Sequence, residues 1–327
     1  MKTQQGLRFI LKNTSIGLFV LLFVIFGILS PRFFTAKNFE NILTSASYIG
    51  IVATGMTVVL LTGGIDLSVG SNMYLSGAVM ALLLQEYHAP VLVAVLACLA
   101  VGMLFGGFNA LAVTRLKIVP FVVTMSTLTA GRGLGLMITH SYSQDFPASI
   151  TSFSVYKLFD LIPLPIVTFG VVVGLAWVFL GHTQIGRQIY AVGNDPEAAK
   201  KAGLNTTAII AATYIISGVC AALAGFVSIT QLNRMNPNFG SGDEFDAIAA
   251  AVLGGASLFG GIGTVFPGTV LGAIMIQMIE AGLVFTQVDL YIQPLVMAGI
   301  IFLAVLIDSM RMLQLKKMER RHIMKLE

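Results

Sequence analysis

Five ionisable side chains fall inside strongly apolar runs or at their ends: Asp66, Arg132, Asp246, Glu280 and Asp308. A charge in a hydrocarbon environment is costly and ordinarily faces a cavity or a partner, so these positions mark where chemistry could occur. Asp66 follows Gly63-Gly64 and precedes Ser68, which suits either the cap of a following helix or a gate on a pathway. Arg132 has no carboxylate neighbour in sequence. It is expected to face a bundle interior, paired with backbone carbonyls or lining a route. Glu244 and Asp246, near the outer mouth, could cap the helix they open or meet a polar solute. Asn109, Thr124, Ser126, Thr127 and Thr129 carry groups that could bond a sugar-like solute, although helix-to-helix hydrogen bonding is the commoner use of such residues.

Beyond these there is no reaction centre. The sequence has no Walker A run, no HExxH and no paired cysteine motif, and His88, His140, His182 and His322 lie near loops or helix ends without ligand spacing. Cys98 and Cys220 sit in apolar runs as small packing residues, so neither a disulfide framework nor a metal site is expected. Gly131-Arg132-Gly133-Leu134-Gly135 looks superficially nucleotide-like, but it lies within an apolar segment and follows no strand. The expectation is a non-catalytic chain with no directly bound cofactor. If it moves something with ATP, it must borrow its ATPase.

The elements that position these residues follow from composition. Of 327 residues 56% are hydrophobic and 10% charged, and the mean hydropathy is +0.89. Soluble domains carry about 25% charged residues, so this is an integral membrane protein. The net charge of +4 matches cytoplasmic Lys and Arg and does not imply nucleic acid. A spanning helix needs about 20 mainly apolar residues. Ten candidate runs are present, at about 13–30, 43–62, 66–85, 90–113, 118–139, 162–181, 207–231, 244–258, 262–285 and 292–309, and the eighth is short. The first run lacks a small-residue cleavage pattern and reads as a retained span. With the N-terminus inside, inside loops and the tail take fourteen of the 19 Lys and Arg, outside loops take four, and Arg132 lies within a span. This asymmetry predicts an all-α, polytopic bundle of about ten helices with both termini cytoplasmic. Residues 1–310 form one transmembrane domain, and 311–327 form a basic cytoplasmic tail near anionic lipid.

Between the sixth and seventh runs lies the polar stretch Gly186 to Thr206, placed inside by the charge count. Asn194 or Asp195 can cap a helix there, Pro196 fits its first position, and Glu197 complements its positive end. Lys200 and Lys201 suit the negative end, and Gly203 suits the left-handed residue beyond it. The result is a short capped helix, either an ordinary surface element or a rigid knob that a cytoplasmic partner grips. Two glycine turns also resemble each other, LTGGIDLSVGS (Leu61 to Ser71) and VLGGASLFGGI (Val252 to Ile262), both toward the inside. The outside loop from Ser141 to Leu161 is either a connector or a surface for an external partner.

Four stretches together resemble the permease subunits of bacterial carbohydrate ABC importers of the ribose, xylose and galactose type. They are FFTAKNFENIL (Phe33 to Leu43), GMTVVLLTGGIDLSVGS (Gly55 to Ser71), GRQIYAVGNDPEAAKKAGLN (Gly186 to Asn205) and EFDAIAAAVLGGASLFGGIGTVFPGTVLGA (Glu244 to Ala273), in the family's order across nearly the whole chain. The resemblance implies a fold similar to the permease of the cobalamin importer, in the bacterial inner membrane. It implies a second permease subunit, identical or a paralogue, a cytoplasmic ATPase with two nucleotide-binding domains, and a periplasmic sugar-binding protein. It maps the family's ATPase-coupling helix onto Asn194 to Gly203, so that Gly193, Asn194, Asp195, Pro196, Glu197, Ala198, Ala199 and Gly203 are the coupling candidates. Asp66, Ser68, Asn109, Arg132, Glu244 and Asp246 are the candidates for a translocation pathway or gate. Where the family more often has a basic residue in the second glycine turn, this chain has Ile262. An ion-coupled secondary transporter would instead need a cluster of midplane carboxylates, and a non-transporting scaffold would leave the polar residues of the glycine-rich spans without a use.

Overall fold

The computed structural model of the protein describes residues 14–289 and 291–300, with residues 302, 303, 306 and 309 beyond them. The first thirteen residues, Asp308 and the basic tail 311–327 lie outside the described residues, and the tenth apolar run is described only in part.

The fold is helical. In order it has α1 (Thr14–Leu29), a 3-10 turn (Pro31–Phe34), α2 (Ala36–Leu60), α3 (Val69–Gln85), α4 (Val91–Thr114), α5 (Pro120–Thr139), α6 (Ala148–Val155), α7 (Leu164–His182), α8 (Gln184–Asn194), α9 (Pro196–Lys201), α10 (Thr206–Leu232), α11 (Asp243–Leu253) and α12 (Val270–Phe285). Four two-residue strands pair as two antiparallel ribbons: β1 (Gln144–Asp145) with β4 (Arg234–Met235), and β2 (Lys157–Leu158) with β3 (Ile162–Pro163). Among the described residues six helical segments are long and apolar enough to cross a membrane: α2, α4, α5, α7, α10, and Val265–Phe285, which contains α12. With 16, 17 and 11 residues, α1, α3 and α11 fall short of that length.

Burial sorts the helices. From Ile49 to Leu60 α2 is buried on every side, as is most of α10 beyond Thr213, which is the pattern of core helices. By contrast, α4 and α7 turn apolar residues outward: Leu104 is 73% exposed and Leu175 67%, a surface suited to lipid tails. The central pair is α10 against α4, where Gly102 and Gly106, one helical turn apart, face Gly218. A Cβ at Gly102 would come within 2.5 Å of the Gly218 carbonyl oxygen, so only glycine permits this backbone approach.

Two helices begin inside the bundle and meet there: α3, of 17 residues, and α11, of 11. The Asn72 amide, in the first turn of α3, donates to the Gly218 carbonyl at 3.1 Å and, more weakly, to that of Gly102 at 3.5 Å. Gly102 lies halfway along α4, so α3 begins near the middle of the bundle. After β4 the chain runs back along α3, with Met235 against Gly77 and Gly240 against Gly70, and α11 starts there at Asp243. The eighth apolar run is therefore a short helix ending at Leu253, followed by a turn, because Gly255 at φ +94° ends it. Non-helical backbone at such depth needs protein around it, and Leu61, Gly64, Asp66, Leu67 and Ser68 are all buried.

Candidate functional site

The first cluster forms where α3 begins. The Asp66 carboxylate accepts from the Ser68 backbone N–H at 3.1 Å and the Ser68 hydroxyl at 2.6 Å through Oδ1, and from the Ser217 hydroxyl of α10 at 2.8 Å through Oδ2. Asn109 of α4 donates to Ser68 Oγ at 2.8 Å, and Thr127 of α5 donates to Asn109 Oδ1 at 2.8 Å. Asp66, Ser68, Asn109 and Ser217 are each at most 1% exposed. The polar groups satisfy one another, as buried polar groups must. Asp66 does not bond deeper N–H groups of α3 in the usual capping manner. It holds the Ser68 N–H just before the helix and ties α3 to α10, while Ser68 and Asn109 extend the tie to α4 and α5.

The second cluster lies around the 233–242 connection. Arg132 of α5 donates to the Phe239 carbonyl at 2.6 Å and the Pro237 carbonyl at 3.3 Å, and its guanidinium sits 4.9 Å from the centre of the Tyr74 ring. The carbonyl pairing is one of the two sequence alternatives for Arg132. Glu244 is buried in the first turn of α11, which also holds Asp243 and Asp246, so three carboxylates stand at the positive end of this helix. A Cβ on Gly70 would overlap the Gly240 carbonyl oxygen and lie 2.5 Å from Glu244 Oε2, which shows how closely the two helix starts meet. Among the described residues no ion pair joins these groups. The pairs that form are exposed or half-exposed: Glu40 with Lys37 and Lys157, and Asp145 with Arg234.

At the far end of α7 the polar stretch forms two helices. The Thr183 hydroxyl accepts from Gly186 N–H and starts α8, an amphipathic helix that buries Gly186, Ile189 and Val192. One extended residue, Asp195, joins it to α9. The Asp195 carboxylate caps α9 by accepting from Glu197 N–H at 3.0 Å and Ala198 N–H at 2.9 Å. Pro196 is the first helical residue, Glu197 lies in the first turn, Lys200 and Lys201 in the last, and Gly203 follows at φ +84°. Of α9 only Ala199 is buried, so Asn194, Asp195, Pro196, Glu197 and Ala198 lie on the surface. At the half-buried Gly193 a Cβ would overlap the Leu61 carbonyl oxygen. The Tyr190 hydroxyl donates to the Gly263 carbonyl at 2.9 Å, and burial raises this phenol above its ordinary value of 10.0, so it remains a donor at neutral pH. The two glycine turns meet at this point, with Gly261 N–H donating to the Leu61 carbonyl at 2.9 Å.

The candidates thus fall into three groups. Asp66, Ser68 and Asn109 share one network; Arg132, Glu244 and Asp246 surround the 233–242 connection; and Gly193 to Gly203 form the surface helix and its joint. Ser217, Tyr190 and the α8 helix were not singled out by the sequence. The signal for α8 was present in the spacing of Gly186, Ile189 and Val192.

Comparison with known proteins covers most of the chain. The family described as branched-chain amino acid transport system / permease component matches residues 38–307. The ribose import permease protein RbsC of Escherichia coli K12 is 37% identical over 318 residues, covering 94% of this chain and 98% of its own. RbsC of Bacillus subtilis is 37% identical over 295 residues, covering 90% and 91%. The autoinducer 2 import system permease protein LsrC of Yersinia pseudotuberculosis is 36% identical over 310 residues, covering 94% and 87%. No solved structure matches the chain.

Proposed function

This chain belongs to the family of branched-chain amino acid transport system permease components, and from that premise we propose that it carries a sugar, or a sugar-like solute, into the cell. It is the membrane permease subunit of an ATP-binding-cassette sugar importer in the inner membrane, and ATP hydrolysis belongs to a separate ATPase. The sugar reading rests on relatives named for ribose import that match nearly the full chain; relatives named for autoinducer 2 import keep a furanose-like signal as the second reading.

In this reading α9 is the ATPase-coupling helix. The observation that carries it is a six-residue helix, capped at both ends and exposed on all but Ala199, standing on an α8 whose other face is buried. That end of the bundle is cytoplasmic, both termini lie on the same side, and α1, α3, α11 and the partly described last helix complete ten spans in a cobalamin-importer-like permease. Arg132, with the exposed Ser126 and Thr129 on the same helix, faces the route that cargo takes. The half-buried Arg132 charge at membrane depth calls for protein or water beside it, which supports a second permease subunit there. Glu244 and Asp246 lie in the first turn of α11, on the same route, while Asp66, Ser68 and Asn109 act as its frame. A periplasmic binding protein docks over the opposite end, and lipid surrounds the apolar faces of α4 and α7.

Copurification tests the coupling assignment. Wild-type chain is expected to retain its ATPase through detergent extraction, whereas Glu197→Lys combined with Ala198→Trp releases it while membrane insertion is unchanged. Retention of the ATPase by the double variant contradicts the assignment.

A further inference from the structure

Three backbones converge where α8 ends. Gly193 packs under the Leu61 carbonyl, and its own carbonyl lies against Gly260, where a Cβ would be 2.7 Å away. Gly260 in turn approaches the Gly63 amide, a Cβ there reaching it at 3.0 Å, and Gly261 both bonds the Leu61 carbonyl and packs on Asn194. Gly260 and Gly261 hold φ of +87° and +73°, a region that favours glycine, so this close approach depends on their lacking side chains. Three residues on from Gly193 toward the start of α8, Tyr190 ties the helix to Gly263.

One of the two turns opens α3 and the other closes α11. Residues 61–68 run from α2 into α3 and carry Asp66, and residues 254–264 join α11 to the segment that becomes α12. Since α8 and α9 are joined by the single residue Asp195, α9 cannot swing far without carrying the end of α8 with it. That end touches both turns.

We propose that Tyr190 and Gly193 are positioning residues that pass movement of α9 to α3 and α11 at once, and so set how much transport accompanies each ATP hydrolysed. This rests on the reading of α9 as the ATPase-coupling helix. The two-turn contact makes a specific demand. A variant that loosens the joint leaves α9 on the surface, capped and able to bind the ATPase, yet disconnects it from the bundle.

The test uses proteoliposomes holding the full chain, its ATPase and its binding protein, with radiolabelled ribose as the probe. Three quantities are read: ATPase copurification, ribose moved per ATP, and stimulation of ATP hydrolysis by the binding protein. The last does not depend on the identity of the cargo. Tyr190→Phe removes one hydrogen bond and keeps the ring. It is expected to leave copurification intact and to lower the stimulation by about fivefold, the ratio set by one such bond. Gly193→Ala, whose Cβ displaces the Leu61 carbonyl, should lower it further. If that variant fails to insert, Tyr190→Phe alone decides. Stimulation by Tyr190→Phe equal to wild type overturns the proposal, and so does loss of the ATPase from Tyr190→Phe, which would place the residue in docking. A wild-type chain that never holds an ATPase overturns instead the reading of α9 on which the proposal stands.

Discussion

Replacing Asp66 with alanine removes the acceptor from three buried donors at once: the Ser68 N–H, the Ser68 hydroxyl and the Ser217 hydroxyl. Side-chain hydrogen bonds inside membrane proteins average about 0.6 kcal/mol each, which gives about 2 kcal/mol for three. The Ser68 N–H cannot rotate to a new partner, so counting its bond instead at the about 1–3 kcal/mol of a stranded buried donor puts the total at about 2–4 kcal/mol. At a chain length of 327 residues that corresponds to a fall in Tm of about 3 to 6 °C. Asp66→Asn is the informative companion. Its amide oxygen still accepts from Ser68, and its NH2 can donate to a reoriented Ser217 hydroxyl, so the loss should stay under about 1 °C on the same scale. The assay is thermal loss of the monodisperse peak of the detergent-solubilised, fluorescently tagged chain, with a Ser217→Ala double-mutant cycle to isolate the contact. An Asp66→Ala protein that melts with wild type would refute the network as a structural tie. An Asp66→Asn protein as damaged as Asp66→Ala would refute the claim that hydrogen-bond geometry, rather than charge, is what the site uses.

Two other outcomes follow from the contacts. Asp195→Ala removes the cap of α9 and both of its backbone bonds, a loss of about 1 kcal/mol that should weaken ATPase copurification without lowering the Tm of the bundle, since α9 is almost wholly exposed. Gly70→Ala forces a Cβ into the Gly240 carbonyl and should destabilise by about 1–3 kcal/mol, whereas Gly133→Ala, which meets nothing within 4 Å, should melt with wild type; equal melting of the two would contradict the meeting of the α3 and α11 starts.

Local chemistry carried much of this architecture. The caps of α9 were legible because Asp195, Pro196, Glu197, the two lysines and Gly203 act through neighbours one to four residues away. Arg132 could be foreseen facing the bundle interior, on backbone carbonyls or along a route, since no carboxylate neighbours it in sequence; it is half-buried and bonds carbonyls. What was not legible depends on distant partners. Asp66 read as either a helix cap or a gate, yet one of its oxygens is used by Ser217, 151 residues on. The eighth apolar run counts as a span by hydropathy, but α11 closes at Leu253 because backbone turns at Gly254 and Gly255, and the 233–242 connection has already covered part of the depth. The two glycine turns were a weak resemblance in an apolar chain. Only their contact through Leu61, Gly261 and Gly193 gives them a joint role.

The most direct test of the central claim is uptake of radiolabelled ribose by proteoliposomes containing this chain, its ATPase and its binding protein, with internal ATP present or withheld. Uptake that requires ATP, the ATPase and the binding protein together is the predicted result; uptake by the chain alone, driven by an ion gradient, would contradict it.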